Sequence, residues 1–266
     1  MKALSIYIGL MFLSFKARVE YRATFLFYLA AILFFYLGQF GLLFVILTRF
    51  TEINGWAIGE IAFLYGLLAT TQGISAVFFN ALNDFEQMVV RGDFDRILIR
   101  PLSPLWQIIS SKFEVSTLAH FVIGPGALLY GAKTAGLDWT TGKAFFFLLV
   151  VVGGTLILGS IRIAVASVAF WTVRNSSLVR IVVYSSKEFI VYPISIYTRG
   201  VQLFLTFVFP IAFINYYPAH VFLGKSAENL LNPSLQFLTP VVGVVLFLVA
   251  RFLWKTGINN YQGTGS

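Results

Sequence analysis

Acid–base and nucleophilic catalysis need titratable side chains that converge on one point, and few residues of this sequence can do so. There is no cysteine, which removes disulfides, thiolate metal sites and thiol nucleophiles together. The two histidines, His120 and His220, lie in different segments with no acid paired to either. His120 reads as a hydrogen-bonded packing residue and His220 as an interfacial one. The acids fall in loops or at the ends of apolar runs. That disfavours an intramembrane enzyme, and equally a proton- or sodium-coupled carrier, whose acids or histidines sit within the spans. We assign no catalytic or metal-ligating residue. No G-x-x-x-x-G-K-[ST] phosphate loop occurs either: 136–143 ends in Gly-Lys, but its spacing and the following Ala144 are wrong. If a nucleotide drives this protein, another polypeptide binds it.

Arg162 is the one charge deep inside a long apolar run. Inserting a charge at mid-bilayer costs ~2.5 kcal/mol or more, which makes such a residue a functional candidate by default. Arg162 lies nine residues from Trp171, or about 13 Å along a helix. Its side chain can therefore snorkel or pair with Glu114 or Glu188. The other reading is a contact to substrate or to a gate.

The segment 83–104, NDFEQMVVRGDFDRILIRPLSP, concentrates charge of both signs. Its spacing predicts two short helices: Gly92 ends the first in a left-handed conformation, Asp93 caps the second and Pro101 closes it. Ser103 and Pro104 then open a further helix as N-cap and first helical residue. Mixed charge beside an exposed Phe94, Ile97 and Leu98 suits docking on a soluble protein better than contact with anionic lipid. The alternative is an ordinary solvated loop with a helical turn.

The elements that must position these residues are membrane helices. With 58% hydrophobic residues, 11% charged and 29 phenylalanines in 266 positions, the chain carries far less charge than the roughly 25% of soluble domains. Unpaired backbone is not tolerated in hydrocarbon, and the runs are too long for barrel strands. Six runs can cross as helices: 24–47, 57–79, 106–131, 144–171, 201–217 and 235–254. With both termini inside, Lys and Arg crowd the inner segments, including Arg199 and Lys187, and only Arg49, Lys133, Lys143 and Lys225 fall outside. The net charge of +8 is explained by this asymmetry rather than by nucleic acid. Trp56 and Trp139 mark the outer surface, and Trp106, Trp171 and Trp254 the inner one. Residues 1–22 lack a cleavage site after their apolar stretch and are too short to cross. Lys2, Ser5, Gly9, Lys16 and Glu20 recur at helical spacing, broken by Phe12, which predicts an in-plane amphipathic helix. The stretch 178–197 carries Ser185, Ser186, Lys187 and Glu188 at its middle and is expected to be interfacial or bent, since a seventh span would put Arg251 and Lys255 outside.

Gly153, Gly154, Gly159, Ser160 and Ala164 give the fourth run a small-sided face for close packing, within the chain or with another subunit. Pro125 and Pro210 interrupt helical runs and are candidate hinges. The stretch 219–233 is weakly amphipathic and bounded by prolines, a surface loop by composition.

Glu86, Arg91-Gly92, Leu98 and Pro101-Leu102-Ser103, together with Tyr192-Pro193, Pro210 and Asn215-Tyr216-Tyr217-Pro218, resemble the membrane subunits of ABC-2 type transporters over nearly the whole chain. The resemblance implies an all-α integral membrane fold with six transmembrane helices, an in-plane N-terminal helix and a single transmembrane domain. In it, 83–104 would be a coupling loop and 219–233 an extracellular hairpin. It further implies that Glu86, Arg91, Gly92, Asp93, Phe94, Asp95, Leu98 and Pro101 face a cytoplasmic ABC ATPase. Asp93-Phe94-Asp95 departs from the commoner pattern of a small hydroxyl residue after the glycine. The implied function is a permease subunit of an ATP-driven exporter in the bacterial inner membrane, working with a second permease subunit, the same or related. It is not an enzyme by itself: it would bind no cofactor, ATP and Mg being held by the ATPase, and its other partner is membrane lipid, not nucleic acid. The alternative is a gradient-driven secondary transporter or channel. From the charge asymmetry, a reporter fused after Ser266 is expected to read as cytoplasmic; a periplasmic signal would overturn the six-span topology.

Overall fold

Long apolar runs can satisfy their backbone only within themselves, and they fold as helices in the computed structural model, which describes residues 2–49, 52–112, 114, 116–225 and 231–262. Helices α1 (Lys2–Val19) and α2 (Arg22–Arg49) are followed by a two-stranded ribbon, β1 (Glu52–Ile53) paired antiparallel with β2 (Trp56–Ala57). Then come α3 (Ile58–Phe79), the short α4 (Phe85–Val90) and α5 (Asp93–Leu98), α6 (Pro104–Ser111), α7 (Ser116–Thr134) and α8 (Thr141–Thr172). The remainder comprises α9 (Ser176–Leu178), α10 (Arg199–Leu203), α11 (Tyr216–Leu223) and α12 (Thr239–Asn259), with 3-10 and π-helical turns between them. The bundle has a loop end, which carries 83–104, and an opposite end, which carries the ribbon.

The centre is α3, with Ile61, Phe63, Leu64 and Leu67 fully buried. It packs antiparallel to α7 through glycines spaced by seven. Gly59 faces Thr134, Gly66 faces Leu128 and Gly73 faces His120, while Gly124 and Gly131 of α7 receive Thr70 and Phe63. A Cβ added at Gly66 would lie 2.5 Å from the Leu128 backbone nitrogen, and one at Gly124 2.6 Å from the Thr70 hydroxyl. The small face of α8 is also used inside the chain: Gly154 meets Thr71, Gly159 meets the Phe79 ring, and Gly153 meets Thr239 and Pro240 at the start of α12. Ser160 and Ala164 line a shallow recess with Pro210 and Leu246.

Among the described residues, three stretches, Ile58–Val90, Thr141–Thr172 and Thr239–Asn259, are long and apolar enough to cross a membrane. The run expected at 106–131 is divided between α6 and α7 at Lys112, where Lys112 pairs with Asp84 and, at 3.1 Å, with Glu114. Pro125 sits within α7 without interrupting it. Helix α1 lies along α6, with Ser14 donating to the Ser111 carbonyl at 2.9 Å and Tyr7 beside Trp106. Its open face mixes Phe12 and Leu13 with Lys16 and Glu20.

The stretch 178–197, expected to be interfacial or bent, is irregular and runs from one end of the bundle to the other. Its start is tied to the loop end, where Glu86 accepts from the Asn175 and Ser176 amides, and its finish to the ribbon, where Asn54 donates to the Ser195 carbonyl at 2.9 Å. It traverses the bundle as π and 3-10 turns, with Lys187 directed inward. Conversely, 201–217 does not run from end to end. The segments Arg199–Val208 and Ile211–Leu223 are bent by 81° at Pro210. Arg199, Gln202, Tyr216 and His220 all line one cavity of about 440 Å³ with Asn54 and Trp56 at the opposite end. Both limbs therefore start and finish there, held together by the Thr206 and Tyr217 hydroxyls at 2.7 Å. Sequence reasoning grouped Arg199 with the inner segments, whereas the structure places it beside Asn54 at the ribbon end. Part of the expected hairpin 219–233, residues 226–230, lies outside the described residues; the described part includes Phe222, whose carbonyl accepts from Lys143 at 2.9 Å.

Gly66→Leu is expected to force α3 and α7 apart at a cost of ~1–3 kcal/mol or more. In detergent this should lower the melting temperature by ~2–4 °C per kcal/mol. Gly126→Ala, where an added Cβ meets nothing within 4 Å, is the control and should melt as the parent does.

Candidate functional site

The charged segment folds as a helical hairpin. After a 3-10 turn at Asn80–Asp84, α4 ends at Arg91, and Gly92 takes φ +70°, the left-handed conformation that only glycine adopts at little cost. Asp93 does not cap α5: it lies in the first turn and pairs with Arg96. Beyond α5, the buried Gln107 side chain donates to the carbonyls of Ile97 (3.3 Å) and Leu102 (2.9 Å), which satisfies the frayed helix end. Ser103 and Pro104 open α6 as expected from their order, although the Ser103 hydroxyl makes no capping bond.

The hairpin is fastened to the bundle by aromatic rings. Phe85 and Phe94 meet edge to face at 5.1 Å and pack on Phe170 of α8 and Trp254 of α12, with Phe85 at 5.0 Å and 4.9 Å from those two. Tyr261, just beyond α12, lies 5.1 Å from Phe94 and donates to the Asp95 carboxylate at 3.0 Å. Edge-to-face pairs at these distances stabilise beyond their buried area, by about 0.5–1.5 kcal/mol each. Gly257 lets α12 approach the Phe170 ring.

A carboxylate makes the second attachment. Glu86 is 8% exposed and accepts from the Asn175 backbone at 2.6 Å and from the Ser176 backbone. These amides open α9, directly after Val173, whose φ of +62° is unusual for a β-branched residue. The Asn175 side chain donates to the Val165 carbonyl at 2.7 Å. At the hairpin's base, Asn83 donates to the Tyr184 hydroxyl at 3.1 Å, and Lys112 is shared by Asp84 and Glu114.

The expected site residues thus divide. Phe94, expected to be exposed, is fully buried, because an aromatic ring between two helix ends gains more from burial than from facing water. Glu86 also points inward. Arg91, Asp95, Leu98 and Pro101 remain on the outer surface with Val90, Arg96, Ile99 and Arg100, and Ile99 is 83% exposed. Sequence reasoning missed Phe85, Phe170, Trp254 and Tyr261 as one cluster. Their signal was aromatic residues placed at or a few residues beyond the ends of three separate runs.

In the interior, Arg162 forms no ion pair with Glu114 or Glu188 among the described residues. It donates to Ser75 at 2.7 Å and to the Leu158 carbonyl at 3.3 Å. The Gln72 amide oxygen, placed by its hydrogen bonding, faces Arg162 Nη2 at 2.8 Å and Lys187 Nζ at 3.2 Å. His220 bonds the Tyr216 carbonyl at 2.9 Å and packs on Trp56 at the opposite end, whereas His120 packs on Gly73. The two do not converge.

A helical bundle with apolar crossing segments and a structured charged hairpin at one end defines a multi-pass membrane protein. The family model described as "ABC-2 family transporter protein" matches residues 33–265. The chain belongs to that family and is a permease component of an ABC transporter. No curated protein and no solved structure matches it.

Replacing Phe94 by Ala removes the ring that locks the hairpin, at ~3–5 kcal/mol for a buried Phe. Tryptic cleavage after Arg91 and Arg96 should accelerate by at least about tenfold as local opening becomes easier. Leu98→Ala, on the outer face, should leave the cleavage rate unchanged, and equal rates for both variants would show that the ring cluster does not hold the hairpin.

Proposed function

We propose that this chain is the membrane permease of an ATP-driven exporter, coupled through residues 83–104 to a separate cytoplasmic ABC ATPase that holds ATP and Mg. The observation that carries this reading is the two-sidedness of the hairpin. Its inner face is bonded to α8, to the start of the crossing segment after α9 and to the end of α12. Its outer face leaves Val90, Ile99, Arg91 and Arg100 bare. A loop built only to join two helices has no need of such an inner anchorage, whereas a part that receives force from a partner does. Arg91, Asp95, Leu98 and Pro101 supply the docking contacts, Gly92 sets the turn, Asp93 steadies Arg96 at the start of α5, and Glu86 and Phe94 hold the shape from within.

In this reading the chain crosses six times, at 22–49, 58–90, 104–134, 141–172, 176–196 and 239–259. The limbs 199–223 enter and leave from the outer side, and both termini are cytoplasmic in a bacterial inner membrane. The positive residues of the loop end, Arg91, Arg96, Arg100, Arg174, Arg251 and Lys255, support this orientation. Helix α1 lies in the inner interface. One chain of this size is small to enclose a path, and the exposed faces of α2, including Phe27, Phe34 and Phe35, are available to lipid and to a second permease subunit.

The test is co-purification in mild detergent with the products of neighbouring open reading frames. A stoichiometric ATP-hydrolysing subunit is expected, and Ile99→Asp should weaken its recovery by at least about tenfold, as for a buried interface anchor. A chain that purifies alone, with transport indifferent to nucleotide, would overturn the reading in favour of a gradient-driven carrier or channel.

A further inference from the structure

Cations buried in a membrane bundle are normally matched by an acid. Arg162 is 2% exposed, and neither it nor Lys187 has an ion-pair partner among the described residues. Both instead share one neutral acceptor, the Gln72 amide oxygen, at 2.8 Å and 3.2 Å. Two like charges are thereby held close together with a single dipole between them, and Arg162 Nε has no partner at all among the described residues. Lys187 also lies 5.3 Å from the centroid of the Tyr184 ring, a contact that offsets little of a full charge.

Gln72 and Lys187 open onto a cavity of about 240 Å³ between α2, α3, α7 and the crossing segment. His120 and Glu188 share its polar wall, and Phe35 and Leu68 are among its apolar lining. Glu188, whose field reaches Lys187, is exposed and forms no ion pair with it, while Glu114, the carboxylate whose field reaches Arg162, is engaged by Lys112 and Asn80. The site therefore keeps an excess of positive charge. Its volume falls below the roughly 300–1,000 Å³ of pockets that bury a whole drug-sized ligand, so it has room for a head group and the first part of a tail.

We propose that this cavity binds the anionic head, phosphate or carboxylate, of an amphipathic cargo: Lys187 and Gln72 contact the head, Arg162 supplies charge from behind, and Phe35 and Leu68 meet the tail. That the ligand is cargo rests on the exporter reading above; the binding chemistry does not. Such a site carries its like-charge repulsion when empty and loses it when the anion arrives.

The full-length chain in maltoside micelles is titrated with dodecyl phosphate, dodecanoate, inorganic phosphate and dodecyltrimethylammonium, with thermal melting as the readout. Both anionic amphiphiles should raise the melting temperature saturably; inorganic phosphate should do so at least about tenfold more weakly and the cationic amphiphile not at all. Lys187→Gln should weaken the apparent affinity for dodecyl phosphate at least tenfold, and Lys187→Arg should retain it. Without ligand, Lys187→Gln should melt no lower than the parent, because it removes a repulsion. A ligand-free loss of several degrees would mean that Lys187 is a structural partner, and unaltered dodecyl phosphate binding by the Gln variant would remove the cavity from consideration. Inorganic phosphate binding as tightly as dodecyl phosphate would overturn the amphipathic assignment. Because no ATPase takes part, failure here leaves the coupling hairpin untouched, and failure to recover an ATPase leaves the anion site standing.

Discussion

The close antiparallel contact of α3 with α7 is the constraint on which the rest of this structure depends. Between helices in lipid there is no hydrophobic drive to associate, so packing must come from backbones brought near one another. Glycines at 59, 66 and 73 on one helix and 124 and 131 on the other alternate with the residues they receive. With α7 on one flank and α8 on another, α3 becomes the buried axis. Its loop end then delivers the hairpin beneath α8 and α12, and its middle presents Gln72 and Ser75 to Arg162. Loosening this seam would displace both the hairpin and the interior polar cluster.

A second theme is how the helix breaks are made tolerable. Each interruption exposes carbonyls or amides that lipid cannot satisfy, and at several of them a nearby side chain answers. Gln107 serves the end of α5 and Glu86 the start of α9. Asn215 reaches the carbonyls of Leu64 and Ile190, and Thr239 that of Phe213. The polar residues that looked unsuited to an apolar chain are placed where the backbone departs from regular helix.

Much of this was legible in the sequence for simple reasons. Apolar run length finds membrane helices because hydrocarbon thickness fixes it, and Gly92 marked a turn because few other residues accept a positive φ. The family emerged from the hairpin's residues rather than from composition. Reading failed where the deciding factor was tertiary. Phe94 looked exposed because its neighbours are charged, yet Phe170, Trp254 and Tyr261, distant in sequence, enclose it. The stretch 178–197 looked too polar to traverse the bundle, since hydropathy cannot see that Lys187 faces Gln72 instead of lipid. The break at Pro210 was readable from the proline itself, but not that the two limbs beside it both reach the ribbon end, since run length says nothing of direction. The glycine seam is visible in the sequence as a seven-residue spacing, yet which helix each glycine faces is decided only by the tertiary fold.

The linkage of Asp95 to Tyr261 and of Phe94 to Trp254 has a mechanical consequence. Helix α12 has 21 residues, or about 32 Å of rigid rod, and is gripped at its far end where Gly243 lies against Gly153. It is thus a lever with its fulcrum near one end and its handle at the hairpin. A sideways push of about 1 Å on the handle rotates a rod of that length by only about 2°. Displacement is greatest beside the hairpin and fades toward Thr239, so the two ends of the rod move unequally.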